Sequence, residues 1–414
     1  MLTFLHTSDW HLGHALHDNP RAEEHGAFLD WLVDLAEAEA ADALIVAGDL
    51  FDGANPPAQA QEQLYRFLVT LRQRLPLIDV VLVGGNHDSA QRLDAPASVL
   101  RALGLHMVGG LPRLPDRSLD LDRLLIPLTD ANGTVAAWVV AVPFLRPADL
   151  PLVPDAQDAL VEGVSHVYAS ALEAARARRI PGQALVATGH CYMSGGALSE
   201  LSERKILGGN QHALPVTLFP EDIAYVVLGH LHLAQCVGAR ENVRYCGAPL
   251  ALSMPERGYP HAVDVVKLDG ERLHERRSVP VPRSTEMLRV PPTGALPIGE
   301  LDAALRALPP HDPTVPEWRR PFLEACVRLD VPEPGLQRRV EAALEGRAAR
   351  LVKLTRERTG TGVTFGDTSV GTLADATPAD VFLMRWRQEF KTDPDPVYLA
   401  CFGELLAAAE ELRK

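Results

Sequence analysis

Short apolar runs alternate with amphipathic stretches from Leu2 to about Leu268. Within the amphipathic stretches, apolar residues recur every three or four positions, as at Phe28, Leu32 and Leu35 and across Pro56–Leu75, which predicts helices. Strands alternating with helices indicate a layered α/β domain. The apolar runs predicted as strands are Leu2–Ser8, Ala43–Ala47, Ile78–Val83, Val135–Val142, Ala184–Thr188, Ala224–Leu228, Leu233–Val237 and Ala262–Leu268.

The remainder of the chain has a different pattern of apolar and proline residues. A proline-rich junction carries one predicted helix, Ile298–Leu308, and the strand, helix and strand predicted after it are Phe322–Leu329, Leu336–Glu345 and Leu351–Thr355. Helices are also predicted at Pro378–Lys391 and Pro396–Leu412. We therefore expect a sandwich domain over 1–279, a small α+β cap over 280–358, a flexible Gly- and Thr-rich linker over 359–377 and a helix–loop–helix over 378–414.

Composition narrows the class of protein. The chain has 414 residues, 47% of them hydrophobic, which is enough to bury a large core. Its net charge of -14 argues against binding nucleic acid by bulk positive charge, although an acidic metal centre with its bound cations would change the local field. Five scattered cysteines without a Cys-x-x-Cys pair indicate neither a disulfide framework nor a thiolate zinc site.

The apolar runs are too short to cross a bilayer. The N-terminal segment lacks a basic region and a cleavage site of small residues, so we interpret it as a first strand and not as a signal peptide. The expected location is the cytoplasm.

Metal-binding residue types gather where the predicted strands end. Each cluster alone is ordinary turn chemistry, but ligands in open α/β sheets collect outside the carboxyl ends of strands, so these loops can converge. Residues at i and i+2 of an extended segment also point to the same side. The clusters, in chain order, are Asp9-x-His11, Gly48-Asp49 with Asp52, Asn86-His87-Asp88, Gly189-His190 and Gly229-His230-x-His232.

This ordered set resembles the motifs of calcineurin-like dinuclear metallophosphoesterases. Residues 5–13 (LHTSDWHLG), 48–52 (GDLFD) and 245–249 (YCGAP) are similar to the nuclease branch of that superfamily, which works beside an SMC-like ATPase in bacterial DNA repair and recombination. The resemblance implies a layered sandwich with a cap and a helical tail. It also implies a 3′ to 5′ exonuclease on duplex DNA ends that is an endonuclease on single strands and hairpins.

The resemblance further implies a two-ion site. One ion would be bound by Asp9, His11 and His232, a second by Asn86, His190 and His230, and both by Asp49. Oxygen and imidazole ligands without sulfur favour Mn²⁺. His87 would donate a proton or stabilise developing charge, Asp88 would orient His87, and Asp52 is interpreted as a supporting carboxylate.

Partners follow from the same resemblance. The tethered helix pair would bind the SMC-like ATPase, the enzyme would act on DNA near the nucleoid, and two copies would form a homodimer. The tail has too little apolar surface to be stable alone, and it could instead dock on its own domain.

Two other functions use the same residues. A small-molecule phosphodiesterase or phosphatase could share the metal motifs, and activity on cyclic nucleotides exceeding that on DNA would favour it. A scaffold that recruits an ATPase through a vestigial metal site is the second alternative; the intact ligand set and His87 count against it.

Overall fold

The computed structural model describes residues 1–151, 158–197, 213–329, 333, 335–358, 378–390, 392–395, 397–399 and 401–403. The chain forms two compact units, one containing 1–328 with 333–357 and the other 329–332 with 358–414. The predicted linker 359–377 and most of the predicted helix Pro396–Leu412 lie outside the described residues. The predicted domain boundaries stay predictions.

Eighteen strands are described in chain order. They are β1 (Leu2–Thr7), β2 (Ala15–Leu16), β3 (Asn19–Pro20), β4 (Ala43–Ala47), β5 (Asp79–Val83), β6 (Leu105–Val108), β7 (Leu125–Thr129), β8 (Val135–Val140), β9 (Ala184–His190), β10 (Tyr225–Gly229), β11 (Gln235–Val237), β12 (Arg240–Tyr245), β13 (Ala262–Asp269), β14 (Arg272–Pro280), β15 (Met287–Val290), β16 (Leu296–Pro297), β17 (Phe322–Leu329) and β18 (Arg350–Arg358).

The α-helices of the described residues vary from one to five turns. They are α1 (Ala22–Ala38), α2 (Ala58–Arg74), α3 (Ala90–Asp94), α4 (Ala97–Ala102), α5 (Ala159–Arg178), α6 (Ile298–Arg306), α7 (Leu336–Leu344) and α8 (Pro378–Phe390). None of the helices in the described parts of the chain is both long and apolar enough to cross a membrane.

Two six-stranded sheets form the larger unit's sandwich. Their strand orders are β14-β13-β1-β4-β5-β6 and β11-β12-β10-β9-β8-β7, and the central pairs β1–β4, β4–β5 and β9–β10 are parallel. In the 280–358 segment, β17 pairs with β15, β16 and β18, with α6 and α7 in the same segment. This arrangement is the predicted layered α/β sandwich with a small α+β cap.

Alternation along the central strands explains the layers. Phe4 of β1 and Ile45 of β4 are buried against residues of the second sheet such as Val186. Their neighbours Leu5 and Leu44 point to the opposite face and pack against α1 and α2. Because both faces of the sheet are covered, its strands read as continuous apolar runs.

A buried polar contact also joins the two sheets. His6 of β1 is fully buried, with Nδ1 3.2 Å from the Tyr225 hydroxyl and Nε2 3.2 Å from the Leu228 carbonyl. Burial, only partly opposed by the charge of Asp264, lowers the pKa of His6 from 6.5 to about 4. The neutral imidazole is therefore the form that the fold stabilises.

Acidification is expected to weaken the sandwich through His6. The contribution of His6 is fully present above pH 6.5 and is lost as the pH falls towards 4, because only the unfolded chain takes up the proton in that window; the loss is about 3 kcal/mol. Urea unfolding with a chelator present should therefore show a free energy of unfolding that falls less steeply in His6→Gln than in the wild type. Parallel curves would contradict this assignment.

Candidate metal centre

The carboxyl ends of five strands meet at one edge of the sandwich. Asp9 follows β1, Asp49 follows β4 and Asn86 follows β5, whereas His190 ends β9 and His230 follows β10. The two sheets touch here, since His190 Nδ1 lies 2.8 Å from the carbonyl oxygen of Ala47. Residues from both sheets therefore face one centre, as ligands at strand ends do.

Asp49 lies between two groups of side chains. Its Oδ2 is 3.6 Å from His11 Nε2 and 3.3 Å from His190 Nε2. Ligand atoms of Asp9, His11 and His232 lie within 4.8 Å of one another, and so do those of Asp9, Asp49 and His190. The carboxylate of Asp49 can therefore reach both groups.

Asn86 joins the second group. Its Oδ1 lies 2.9 Å from His190 Nε2 and 3.0 Å from His230 Nδ1. The seven side chains singled out by the sequence are therefore brought together, and all except the half-buried Asn86 are at most 4% exposed. Another group, His11, Asp52 and His87, also has ligand atoms within 4.8 Å of one another.

Several residues of the centre have an unusual backbone. Asp9, His11, Asp49 and His230 have φ values of 54°, 48°, 50° and 100°, in the left-handed region that non-glycine residues rarely adopt. Such conformations persist only where the surrounding structure holds them, and they concentrate at functional sites. The sharp turns aim each side chain inward at the end of its strand.

Gly48 shows why a glycine precedes a ligand. Its φ is +91°, and a Cβ built on it would lie 2.1 Å from His190 Nδ1. A side chain would therefore be strained and would also displace the imidazole. The close approach of the two sheets therefore requires a glycine between β4 and Asp49.

The ionisable groups of the centre influence each other strongly. Burial raises the pKa of Asp49, but the positive charge of His190 and its hydrogen bond outweigh burial and hold that pKa below its usual range. Conversely, burial lowers the pKa of His190, but the Asp49 carboxylate raises it to about 9. Burial and then the charge of His190 lower the pKa of His230 to about 3.

The donor atoms fit divalent cations. Within the described parts of the chain, the buried Nε2 atoms of His11 and His230 have no hydrogen-bond partner, which is costly unless a ligand occupies them. Carboxylate, amide and imidazole donors without a thiolate suit ions such as Mn²⁺. The residues present therefore fit a metal centre.

Behind the ligands, each of three imidazoles has an acceptor on its Nδ1. His11 Nδ1 lies 3.2 Å from Asp52 Oδ1, and His232 Nδ1 lies 3.2 Å from Glu256 Oε1. The third is His190, which meets the Ala47 carbonyl. Such partners fix the tautomer and the ring orientation of metal-binding histidines.

His87 and Asp88 differ from the sequence expectation in one respect. Asp88 was expected to orient His87, but its carboxylate accepts hydrogen bonds from the amides of Leu50, Phe51 and Gly85. The His87 ring instead has Nδ1 2.8 Å from the Asp52 carbonyl oxygen. Asp88 therefore holds the loops after β4 and β5 together, which positions His87 through the backbone.

The deep burial of Asp88 shifts the pKa of its carboxyl group. Burial, followed by the negative charge of Asp49, raises the pKa of Asp88 to about 6. Its three amide donors act in the opposite direction and favour the charged form.

Two residues near the centre were not found from the sequence. Glu256 is fully buried behind His232, and Arg146 donates from Nη2 to the Asp88 carbonyl oxygen at 2.8 Å. Arg146 also lies 5.5 Å from the centre of the Phe144 ring. Of the two, only Arg146 has a local signal in the sequence, because it is a basic residue that follows β8 within a few positions.

Comparison with known proteins identifies the class. The family model described as calcineurin-like phosphoesterase matches residues 2–234, and the model described as type 5 capsule protein repressor C-terminal domain matches residues 283–390. Together with the sandwich and its strand-end cluster, the first match makes this chain a member of the calcineurin-like phosphoesterases. The fold class inferred from the sequence is confirmed.

Curated relatives narrow the family further. Proteins named as the SbcD component of the nuclease SbcCD are 44% identical in Rhodobacter capsulatus, over 86% of this chain and 88% of the relative, and 31% identical in Escherichia coli K12, over 93% and 92%. The Bacillus subtilis relative of that name is 33% identical over 64% of this chain and 66% of its own length. The chain belongs to the SbcD nuclease family, which confirms the resemblance drawn from its motifs.

Proposed function

We propose that this protein is a metal-dependent DNA nuclease that hydrolyses phosphodiesters with two divalent ions. The observation that carries the proposal is the convergence of six other buried or half-buried candidate ligand side chains around Asp49. Membership of the SbcD nuclease family supports DNA as the substrate. The proposed reactions are 3′ to 5′ exonuclease cleavage of duplex ends and endonuclease cleavage of single strands and hairpins.

The proposed ligand sets follow the two groups around Asp49. Asp9, His11 and His232 would bind one ion, and Asn86, His190 and His230 would bind the other. Asp49 would contact both. Mn²⁺ is the proposed ion because imidazoles are numerous and Mg²⁺ prefers oxygen ligands.

When bound, two such ions neutralise the phosphodiester and lower the pKa of an attacking water. His87 is the residue proposed to serve the leaving oxygen. Because a carbonyl oxygen only accepts, the Asp52 carbonyl requires a hydrogen on His87 Nδ1, so a proton passed to the leaving oxygen would come from Nε2 of the imidazolium form, which carries a second hydrogen there. The backbone N–H of His87 donates to Asp49 Oδ1 at 2.8 Å, which fixes the loop beside the centre.

A cleavage assay on labelled duplex and hairpin DNA with added Mn²⁺ tests the proposal. Nuclease activity that a chelator abolishes is the expected result. A cyclic nucleotide tested in parallel separates the main alternative. Faster hydrolysis of that compound than of DNA would favour a small-molecule phosphodiesterase.

His87→Gln is expected to lower kcat for DNA cleavage by about 10² to 10⁴-fold, the usual contribution of general acid–base catalysis. Mn²⁺ binding should not change, because none of the proposed ligands is altered. Single-turnover cleavage and calorimetric titration with Mn²⁺ measure the two quantities. Unchanged cleavage would show that His87 takes no part in the chemical step.

The C-terminal unit carries an aromatic cluster that suits partner binding. The rings of Phe382 and Phe402 stack at 4.4 Å, and those of Trp386 and Tyr398 lie 4.8 Å apart, so α8 pairs with the short helical segment that follows. Phe390 and Tyr398 are more than half exposed. We propose that this aromatic surface binds an SbcC-type SMC-like ATPase, and the naming of the relatives as one component of a complex supports this role.

A homodimer is also proposed. Tyr65 and Val69 lie one turn apart on α2 with exposed side chains, and Val99 and Leu103 are exposed at α4. Apolar side chains spaced along helices are typical of surfaces that a second copy covers. The proposed location is the cytoplasm, in association with the nucleoid.

A further inference from the structure

A buried glutamate lies behind one of the proposed ligands. Glu256 is fully buried, and its Oε1 lies 3.2 Å from His232 Nδ1 and accepts from the Ser253 hydroxyl at 3.0 Å. Its Oε2 accepts from the Leu252 amide at 2.8 Å. A buried carboxylate is tolerated only with such partners. Glu256 therefore connects the imidazole of His232 to the turn that carries Leu252 and Ser253.

The same turn packs against the segment predicted as the cap. Ala251 and Met254, together with Leu16, form an apolar cluster with Met287 and Phe322 of that segment. The contact is therefore built from both the sandwich and residues after position 280.

Two arginines reinforce this contact through one aromatic ring. Arg21 donates from Nη1 to the Ala251 carbonyl and lies 5.9 Å from the centre of the Phe322 ring. Arg350 lies 4.4 Å from the same ring centre. Arg21 is itself buried and held by Glu24 at 2.9 Å. The turn is thus clamped between His232 and the 280–358 segment.

We infer that Glu256 is a positioning residue that orients His232 for metal binding and ties that orientation to the packing of residues 280–358 on the turn at 251–256. The inference rests on the proposed two-ion site. With a carboxylate at Nδ1, the Nδ1 hydrogen is fixed and the lone pair on Nε2 is free to bind the ion. The negative charge of the carboxylate also makes the imidazole a stronger metal ligand. Movement of Phe322 would shift the turn and, through Glu256, the ring of His232.

Titration of metal-free protein with Mn²⁺, followed by calorimetry and by the electron paramagnetic resonance of free Mn²⁺, tests this inference. Wild type should bind two ions. Glu256→Gln keeps one acceptor oxygen but loses the charge and the second acceptor, because its amide NH₂ only donates, and it should weaken one binding step about 10 to 100-fold while leaving the other unchanged. Glu256→Asp, which keeps the charge, should restore part of the lost affinity.

Glu241→Gln is the matched control, since Glu241 is an exposed glutamate on β12, and it should bind like the wild type. Phe322→Leu should weaken the same step as Glu256→Gln. If both Mn²⁺-binding steps of Glu256→Gln had the wild-type affinity, the positioning role would be overturned. If Phe322→Leu did not weaken the step that Glu256→Gln weakens, the link to the 280–358 segment would be overturned. If the wild type itself bound no Mn²⁺, the proposed function would fail first and this inference with it.

Discussion

Replacing Asp49 by asparagine is expected to lower Mn²⁺-dependent DNA cleavage by roughly a thousandfold, because the loss of a shared anionic ligand removes several kcal/mol of charge stabilisation, about 4 kcal/mol. Asparagine keeps an acceptor for the His87 amide, which bonds Asp49 Oδ1 at 2.8 Å. The amide NH₂ then replaces Asp49 Oδ2 between His11 and His190, so both the charge and the acceptor oxygen at that position are lost. Single-turnover cleavage of labelled duplex and hairpin DNA measures the effect.

The variant must remain folded for this result to be informative. Circular dichroism and denaturant unfolding check that, and Asp30→Asn, at an exposed position of α1, is the matched control. The control should cleave DNA like the wild type. Should Asp49→Asn cleave within tenfold of the wild type while binding two Mn²⁺ ions, Asp49 would not be shared between ions.

The strands that carry the ligands were predictable because they are buried on both faces. β4 has the predicted bounds, and β1, β5, β9 and β10 lie within two residues of theirs. A strand that is covered on both faces is a continuous apolar run, and such a run is easily recognised in the sequence. β12 and β14 are different, because both are rich in charged residues and neither forms the continuous apolar run that predicts a strand. β14 also lies at the edge of its sheet, where charged side chains reach solvent.

The ligand cluster was predictable for a related reason. Parallel strands deliver their carboxyl ends to one edge, so residues such as Asp9 and Asp49 can be grouped from chain order alone. Glu256 was not predictable, because its partner His232 is distant in sequence and no local spacing marks the pair. The orientation of Asp88 depends on where the amides of two loops converge, which is also a property of tertiary structure.

Gly229→Ala is expected to destabilise the fold by about 3 kcal/mol or more, the upper range for overpacking, and to impair Mn²⁺ binding. A Cβ at this position would lie 1.9 Å from the Ala47 carbonyl oxygen and 2.9 Å from Ser8 Cβ. The close contact is with backbone of the other sheet, so no side-chain rotation can relieve it. The sheets must separate, and His230, whose amide donates to Asp9 Oδ1 at 3.0 Å, must move with them.

Denaturant unfolding with a chelator present measures the free energy of unfolding of the metal-free protein. Titration with Mn²⁺ measures the loss of affinity that follows from the displacement of His230. Gly53→Ala is the matched control, because no heavy atom among the described residues lies within 4 Å of a Cβ built there; its free energy of unfolding should change by less than about 0.5 kcal/mol. Equal stability of the two variants would mean that the sheets tolerate a wider spacing at this edge. The glycine before His230 would then have no packing explanation.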